Sequence, residues 1–397
     1  SSADGYLSIN ADLTIEPGVE VIVAEGRGIS FDGGAGDADD GTCAQFVADT
    51  TSANRITFDV DRSTNPNALW HGLAFTDDCN GIGMDDRHVF NNVDFSNTEY
   101  AAITAGSRPA PKLDGTAQDA ALSCGDAAND CDAGEFIMNG VTFTNVESAF
   151  SHGSGQGTTV TMDNFAVTDA RNACFNFAEN TIATLTGSAS TPSTMTRCNT
   201  NNNWWGGAVV SMPGSTAGSL TMSHVDITES FVSGIRTDLK TVSIDNVHIV
   251  NNNNQYPIRD INGALYYPGD QEWDKSGVSL EINHAGPGAE ITITDFSAPG
   301  YHHGKICSAG KIVLTNVDLG TGLGPAADGS FVNHEDYFDI QSANSNGCGG
   351  TGLGTFGADS SFDNFDVGNL YVANTFPTMS NMDIDGVLVF RGLTVTG

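Results

Sequence analysis

Apolar and polar residues alternate along this chain in short runs, and the runs come in pairs around one polar position. The unit Φ-x-Φ-polar-[Asn/Gly/Asp/His]-Φ-x-Φ, with Φ an apolar residue, recurs about ten times. Clear copies are Val89-Phe90-Asn91-Asn92-Val93, Ile137-Met138-Asn139-Gly140-Val141, Thr161-Met162-Asp163-Asn164-Phe165 and Thr221-Met222-Ser223-His224-Val225. Ser243-Ile244-Asp245-Asn246-Val247, Thr292-Ile293-Thr294-Asp295-Phe296 and Val313-Leu314-Thr315-Asn316-Val317 continue the series, with looser copies around Asn364, Asn381 and Gly392. Period-2 alternation predicts half-buried strands. The fifth position holds only residue types that tolerate positive φ, which predicts a left-handed turn residue between two short strands.

The turn residues are 24 apart from Gly140 to Asn164, 22 from His224 to Asn246 and 21 from Asp295 to Asn316, and 48 or 49 apart from Asn92 to Gly140, Asn246 to Asp295 and Asn316 to Asn364. The larger intervals read as two units each. A unit of this length cannot bury its apolar face alone and must stack on its neighbours. The prediction is an all-β chain: one right-handed parallel β-helix of roughly 12 to 15 coils, about 60 to 70 Å long at the usual strand spacing. A leucine-rich solenoid is excluded by the missing leucine-and-asparagine consensus. An immunoglobulin-type sandwich array is the second choice and needs longer strands with tight hairpins. Inserted loops are expected near 104–134, 176–218, 251–276 and 320–360, within a single domain over residues 1–397.

The first hundred residues add Leu13-Thr14-Ile15-Glu16-Pro17-Gly18-Val19-Glu20-Val21, Gly28-Ile29-Ser30-Phe31-Asp32-Gly33, Arg55-Ile56-Thr57-Phe58 and Trp70-His71-Gly72-Leu73. This order of strand, Pro-Gly turn, strand and later Trp-x-Gly resembles the opening coils of secreted and cell-surface right-handed parallel β-helix proteins, the pectate-lyase-like superfamily. The resemblance implies a fold and leaves activity open, because that scaffold hosts lyases, hydrolases, adhesins and tailspikes.

Charge narrows the classes. The 49 acidic residues against 15 basic give a formal net charge of -34, which disfavours nucleic acid and anionic membranes as partners. Such acidity suits a marine or saline exterior. The eight cysteines fall in neighbouring pairs, Cys43 with Cys79, Cys124 with Cys131, Cys174 with Cys198 and Cys307 with Cys348, without a tight C-x-x-C. Sequential disulfides are expected, and with them an oxidising compartment. The start at Ser1 is that of a processed secreted chain, no run is long enough to span a membrane, and no Asn-x-Ser/Thr sequon is present.

Candidate chemistry is sparse. Asp77-Asp78-Cys79, Ser151-His152-Gly153 and Gly234-Ile235-Arg236 resemble polygalacturonase fragments, but their separations place them several coils apart. A lyase would want a base beside carboxylates, for which Arg236, Asp238, Lys240, Arg259 and Asp260 form the best cluster, paired surface charge being the plainer reading. His302-His303-Gly304-Lys305 lacks further ligands for a metal. Calcium fits better: Asp37, Asp39 and Asp40, and Asp126, Asp130, Asp132 and Glu135, set hard oxygen ligands on glycine-rich stretches. Trp204, Trp205, Tyr256, Tyr266, Tyr267 and Trp273 stand in the expected insertions, where rings stack on sugars, anchor a partner or pin a loop. Threonine pairs such as Thr159 with Thr161 and Thr292 with Thr294 invite comparison with ice-binding β-helices, yet in sequence they recur on too few units for such a face.

The expectation is a non-enzymatic extracellular scaffold, adhesive or filament-forming, which contacts polysaccharide or cell-surface components through loops. Phe390-Arg391-Gly392-Leu393-Thr394-Val395 still reads as strand, so the expectation is either that the chain continues beyond this segment or that another subunit docks there, end to end. The alternative is a secreted polysaccharide lyase or glycoside hydrolase.

Overall fold

The computed structural model describes residues 5–9, 11–31, 45–75, 87–105, 107–108, 122–123, 134–152, 158–178, 180–201, 206–211, 217–231, 233–250, 278–284, 288–298, 303–308, 310–319, 337–341, 360–367, 369–373, 378–384 and 388–391. Among them there is no helix, and strand follows strand from Tyr6–Ile9 to Leu388–Arg391.

The path is a repeated lap. Tyr6–Ile9, Leu13–Ile15 and Glu20–Val23 are followed by Gly28–Phe31, Phe46–Asp49 and Ile56–Val60, and each strand of the second trio pairs in parallel with its counterpart in the first. The same step continues, so that one ladder becomes a thirteen-stranded sheet ending at Leu388–Arg391. The second and third strands of each lap build the other large sheet. They fuse from Ser219–Thr228 onward into single longer strands. Among the described strands only Ser107–Arg108 and Leu122–Ser123 pair antiparallel. The result is a solenoid-like stack, about 58 Å along the thirteen-stranded ladder at ~4.8 Å per strand.

The turn position between the second and third strands behaves as its residue types require. Asn92, Gly140, Asn164, His224, Asn246, Asp295, Asn316, Asn364 and Asn381 all have φ between 48° and 65°. Carboxamides there hydrogen-bond from lap to lap: Asn316 Nδ2 donates to Asp295 Oδ1 at 2.7 Å, and Asn364 Nδ2 to Asn316 Oδ1 at 2.9 Å. Gly18, after Pro17, is likewise left-handed at 77°.

Two readings of the spacing need correction. Intervals of 48 or 49 residues are one lap with an insertion, not two units: Arg87–Asn91 pairs directly with Glu135–Asn139, and Thr241–Val250 with Glu290–Ser297. Conversely, residues 176–218, read as an inserted loop, contain the strands Ile182–Thr186, Ser193–Thr196 and Val209–Ser211 and supply most of a lap. The 320–360 stretch contains the strand Tyr337–Gln341. Inserted residues are invisible to a period count, because the ladder registers on strands and ignores what is looped out between them.

Inside the stack, inward residues form files. Phe136, Val160, Ala183, Leu220, Val242, Ile291 and Ile312 share one register position on successive laps and are buried. In the early laps the files are aromatic: Phe31 stacks on Phe75 at 4.8 Å, Phe58 on Phe95 at 5.1 Å and Phe95 on Phe143 at 5.4 Å. These separations match the spacing of the strands that carry the rings, so each ring meets its copy without rotamer strain. Full burial contributes about 1.5–3 kcal/mol per phenylalanine.

Candidate functional site

The outward side of the ladders is where chemistry can sit, and the lap-to-lap register decides which side chains meet. On the thirteen-stranded sheet Arg236 is flanked along its strand by the buried Ile235 and Thr237 and therefore points outward. Its register partner Glu281 lies one lap on, with Nε 3.1 Å from Oε2, and both side chains are largely covered. Lys305 and then Asp339 take the next positions in the same row, so the backbone sets basic and acidic residues in alternation over four laps. Opposite charges directly across a ladder support strand pairing, and a guanidinium held this way is committed to structure.

Of the rest of the expected lyase cluster, Asp238 follows two residues on and Lys240 two beyond it. The Asp238 backbone N–H donates to Ser211 Oγ at 2.8 Å, and Lys240 stands half-buried at the corner leading into the next strand. Arg259 and Asp260 lie outside the described residues.

His152 is a core residue. It is fully buried, its Nδ1 lies 2.9 Å from Thr181 Oγ1 and its Nε2 2.9 Å from Thr158 Oγ1, and burial pushes its pKa down to about 4. Its strand Phe150–His152 is three laps from that of Arg236. Those two polygalacturonase-like fragments therefore do not meet, and Asp77, Asp78 and Cys79 lie outside the described residues. A second inward histidine was not singled out from sequence. His88 sits between the rings of Phe75 and Phe136, accepts a hydrogen bond on Nδ1 from the Phe46 N–H at 3.3 Å, leaves Nε2 without a hydrogen bond, and is likewise pushed down to about 4 by burial. Its alternation with Arg87 and Val89 was the available signal.

Glu135, grouped with the expected calcium ligands, stands in a strand in register with Arg87, 3.5 Å from the guanidinium Nε. The other expected ligands, Asp37, Asp39, Asp40, Asp126, Asp130 and Asp132, lie outside the described residues, as do Trp204, Trp205, Tyr256, Tyr266, Tyr267, Trp273 and His302. Among the described residues no three His, Cys, Asp or Glu side chains converge as a metal group. No helix there is long and apolar enough to cross a membrane.

Cys174 and Cys198 form the expected disulfide, buried between neighbouring laps. Cys307 is buried and disulfide-bonded. Its expected partner Cys348 lies outside the described residues, with Cys43, Cys79, Cys124 and Cys131.

No protein-family model, curated protein or solved structure matches this chain.

Two outward features escaped the sequence. One is a second left-handed corner, at Asn97, Asn145, Asp169, Arg197 and Glu229, with φ between 53° and 60°. Each follows a hydroxyl residue of one register row, Ser96, Thr144, Thr168, Thr196 and Thr228. Asn145 Nδ2 donates to Asn97 Oδ1 at 2.8 Å, and Arg197 bridges Asp169 at 2.5 Å and Glu229 at 3.9 Å. Arginine and glutamate are unexpected at positive φ, which hid the row. The other is the continuity of the hydroxyl-bearing face of the second ladder, of which the sequence showed only separate threonine pairs.

Proposed function

We propose that the chain is an extracellular structural element: a right-handed parallel β-helix that serves as a stiff, non-enzymatic rod and extends by stacking one copy on the next. Right-handed crossovers join parallel strands of one sheet in about 98% of cases, which supports the handedness. The buried disulfide supports an oxidising exterior, and the acidity a saline one.

The observation that carries the reading is the state of inward positions at the two ends of the stack. In the first lap Leu7 is 59% exposed, and Ile9, Leu13, Ile15 and Val21 are only half-buried. Their register partners one lap on, Phe31, Phe46, Ala48 and Phe58 opposite Ile9, Leu13, Ile15 and Val21, are at most 2% exposed. Towards the other end Met379, Met382 and Ile384 are half-buried over the closed Phe362, Phe365 and Val367. Two apolar lap surfaces, each lined by strands running the same way, suit a contact that continues the ladders, whether by further coils or by a second copy head to tail.

Sedimentation velocity and electron microscopy over a concentration series test this. The expected result is concentration-dependent chains, abolished by Leu13→Asp with Ile15→Asp. A monodisperse particle at all concentrations overturns the assembly. Release of unsaturated or reducing-end products from a panel of marine polysaccharides, with or without calcium, would replace the scaffold by an enzyme.

A further inference from the structure

The second ladder presents fifteen outward positions on five successive laps, from Thr159–Asp163 to Glu290–Thr294. Eleven carry a hydroxyl, one is Ile182, and three are carboxylates: Asp163, Asp245 and Glu290. The carboxylates stay in the outer rows. The middle row, Thr161, Thr184, Thr221, Ser243 and Thr292, is hydroxyl throughout, and every member reaches solvent while its strand neighbours are buried. An uncharged strip of this length is unexpected on a chain of net charge -34.

Register also fixes the spacing. Successive hydroxyls stand ~4.8 Å apart along the stack and ~6.7 Å apart along a strand. In a tetrahedral water network with neighbouring oxygens ~2.75 Å apart, second neighbours are ~4.5 Å apart. One water can thus bridge each hydroxyl to the next, and the file of bridging waters takes up a lattice-like repeat. Threonine is restricted at χ1, which limits how its hydroxyl and methyl can vary among the four threonine laps, while Ser243 supplies the hydroxyl alone. A saccharide face would want aromatic rings, and none occupies the fifteen positions.

We infer that this face binds the surface of ice, with the Thr161-to-Thr292 row as its centre. In sequence the threonine pairs recur on too few units, but the register sets Thr184, Thr221 and Ser243 beside Thr161 and Thr292 in one continuous hydroxyl row. The third ladder's row, Thr144, Thr168, Thr196 and Thr228, abuts the charged corner of Asp169, Arg197 and Glu229 and serves as the internal control. The inference is independent of end-to-end stacking.

The test measures thermal hysteresis and uptake of the labelled full chain into a growing ice hemisphere. The parent chain should separate melting from freezing and enter the ice. Thr221→Lys and, separately, Thr161→Lys should lose most of both effects with melting temperatures unchanged, while Thr196→Lys retains them. Absence of hysteresis and uptake in the parent, equal loss in the Thr196→Lys control, or retention on crystalline cellulose without uptake into ice each overturns the inference.

Discussion

Gly140 offers a direct test of the corner that organises each lap. Its φ is +65°, and a Cβ built there would lie 2.6 Å from Asn92 Oδ1 on the lap before. Neither party can retreat freely. The Asn92 carboxamide is held by its Nδ2 donating to the Thr50 carbonyl at 2.7 Å, and the Gly140 carbonyl accepts from Arg55 at 2.8 Å. Gly18 is the matched control, left-handed at +77° with nothing within 4 Å of its would-be Cβ. Alanine in the left-handed region costs about 1–2 kcal/mol, offset by about 0.4–1 kcal/mol from a stiffer unfolded chain, so Gly18→Ala should destabilise by about 1 kcal/mol. Gly140→Ala carries the same penalty and must also turn Asn92 off its acceptor, adding about 1 kcal/mol for a total near 2. The two contributions separate in a double-mutant cycle. Asn92→Gly keeps that corner's freedom and removes Oδ1, so in its background Gly140→Ala should fall back to the Gly18 value. Urea unfolding of the variants reads each difference. Equal costs at Gly18 and Gly140, or strict additivity with Asn92→Gly, would refute the lap-to-lap contact.

Acid should weaken the fold through its buried histidines. His88 and His152 are neutral in the fold, with pKa values near 4, so the unfolded chain takes up their protons first as pH falls below about 6.5 and the loss levels off near pH 4. Each site then loses about 2 kcal/mol between pH 7 and 5. The destabilisation caused by His88→Leu should therefore shrink by that amount over the same range in urea titrations, and a pH-independent difference would refute the assignment. Removing the Cys174–Cys198 disulfide by a double Cys→Ala change should cost about 3 kcal/mol in the same assay, since it frees a loop with a sequence separation of 24.

What was legible in the sequence was whatever repeats on strictly local rules. Alternation located the strands, and a residue such as Asn246 or Asp295 at the fifth place marked the left-handed corner, because backbone sterics alone select it. Lap count was less legible, since Asn92 and Gly140 are neighbours on successive laps across a long insertion. Most illegible was everything that register creates. Nothing local to Arg236 announces Glu281, and nothing local to His88 announces Phe75 and Phe136. A histidine or arginine in a polar-looking stretch reads as chemistry until its neighbours along the stack are known.

The same repeat distance acts on both sides of the wall. Inward, it lets Phe58, Phe95 and Phe143 stack face on face, so the core is built from like on like. Outward, like on like recurs as hydroxyls from Thr161 to Thr292 and as carboxamides from Asn316 to Asn364, while Asp169, Arg197 and Glu229 alternate in charge and Asp318, Asp366 and Asp383 stand in register as a row of carboxylates. The hydroxyl face keeps its carboxylates in the outer rows and its middle row, Thr161 to Thr292, free of charge. What an ice-binding role adds is the demand that the row remain uninterrupted, and for this reason a single lysine at its centre, and not elsewhere on the wall, is the substitution that discriminates.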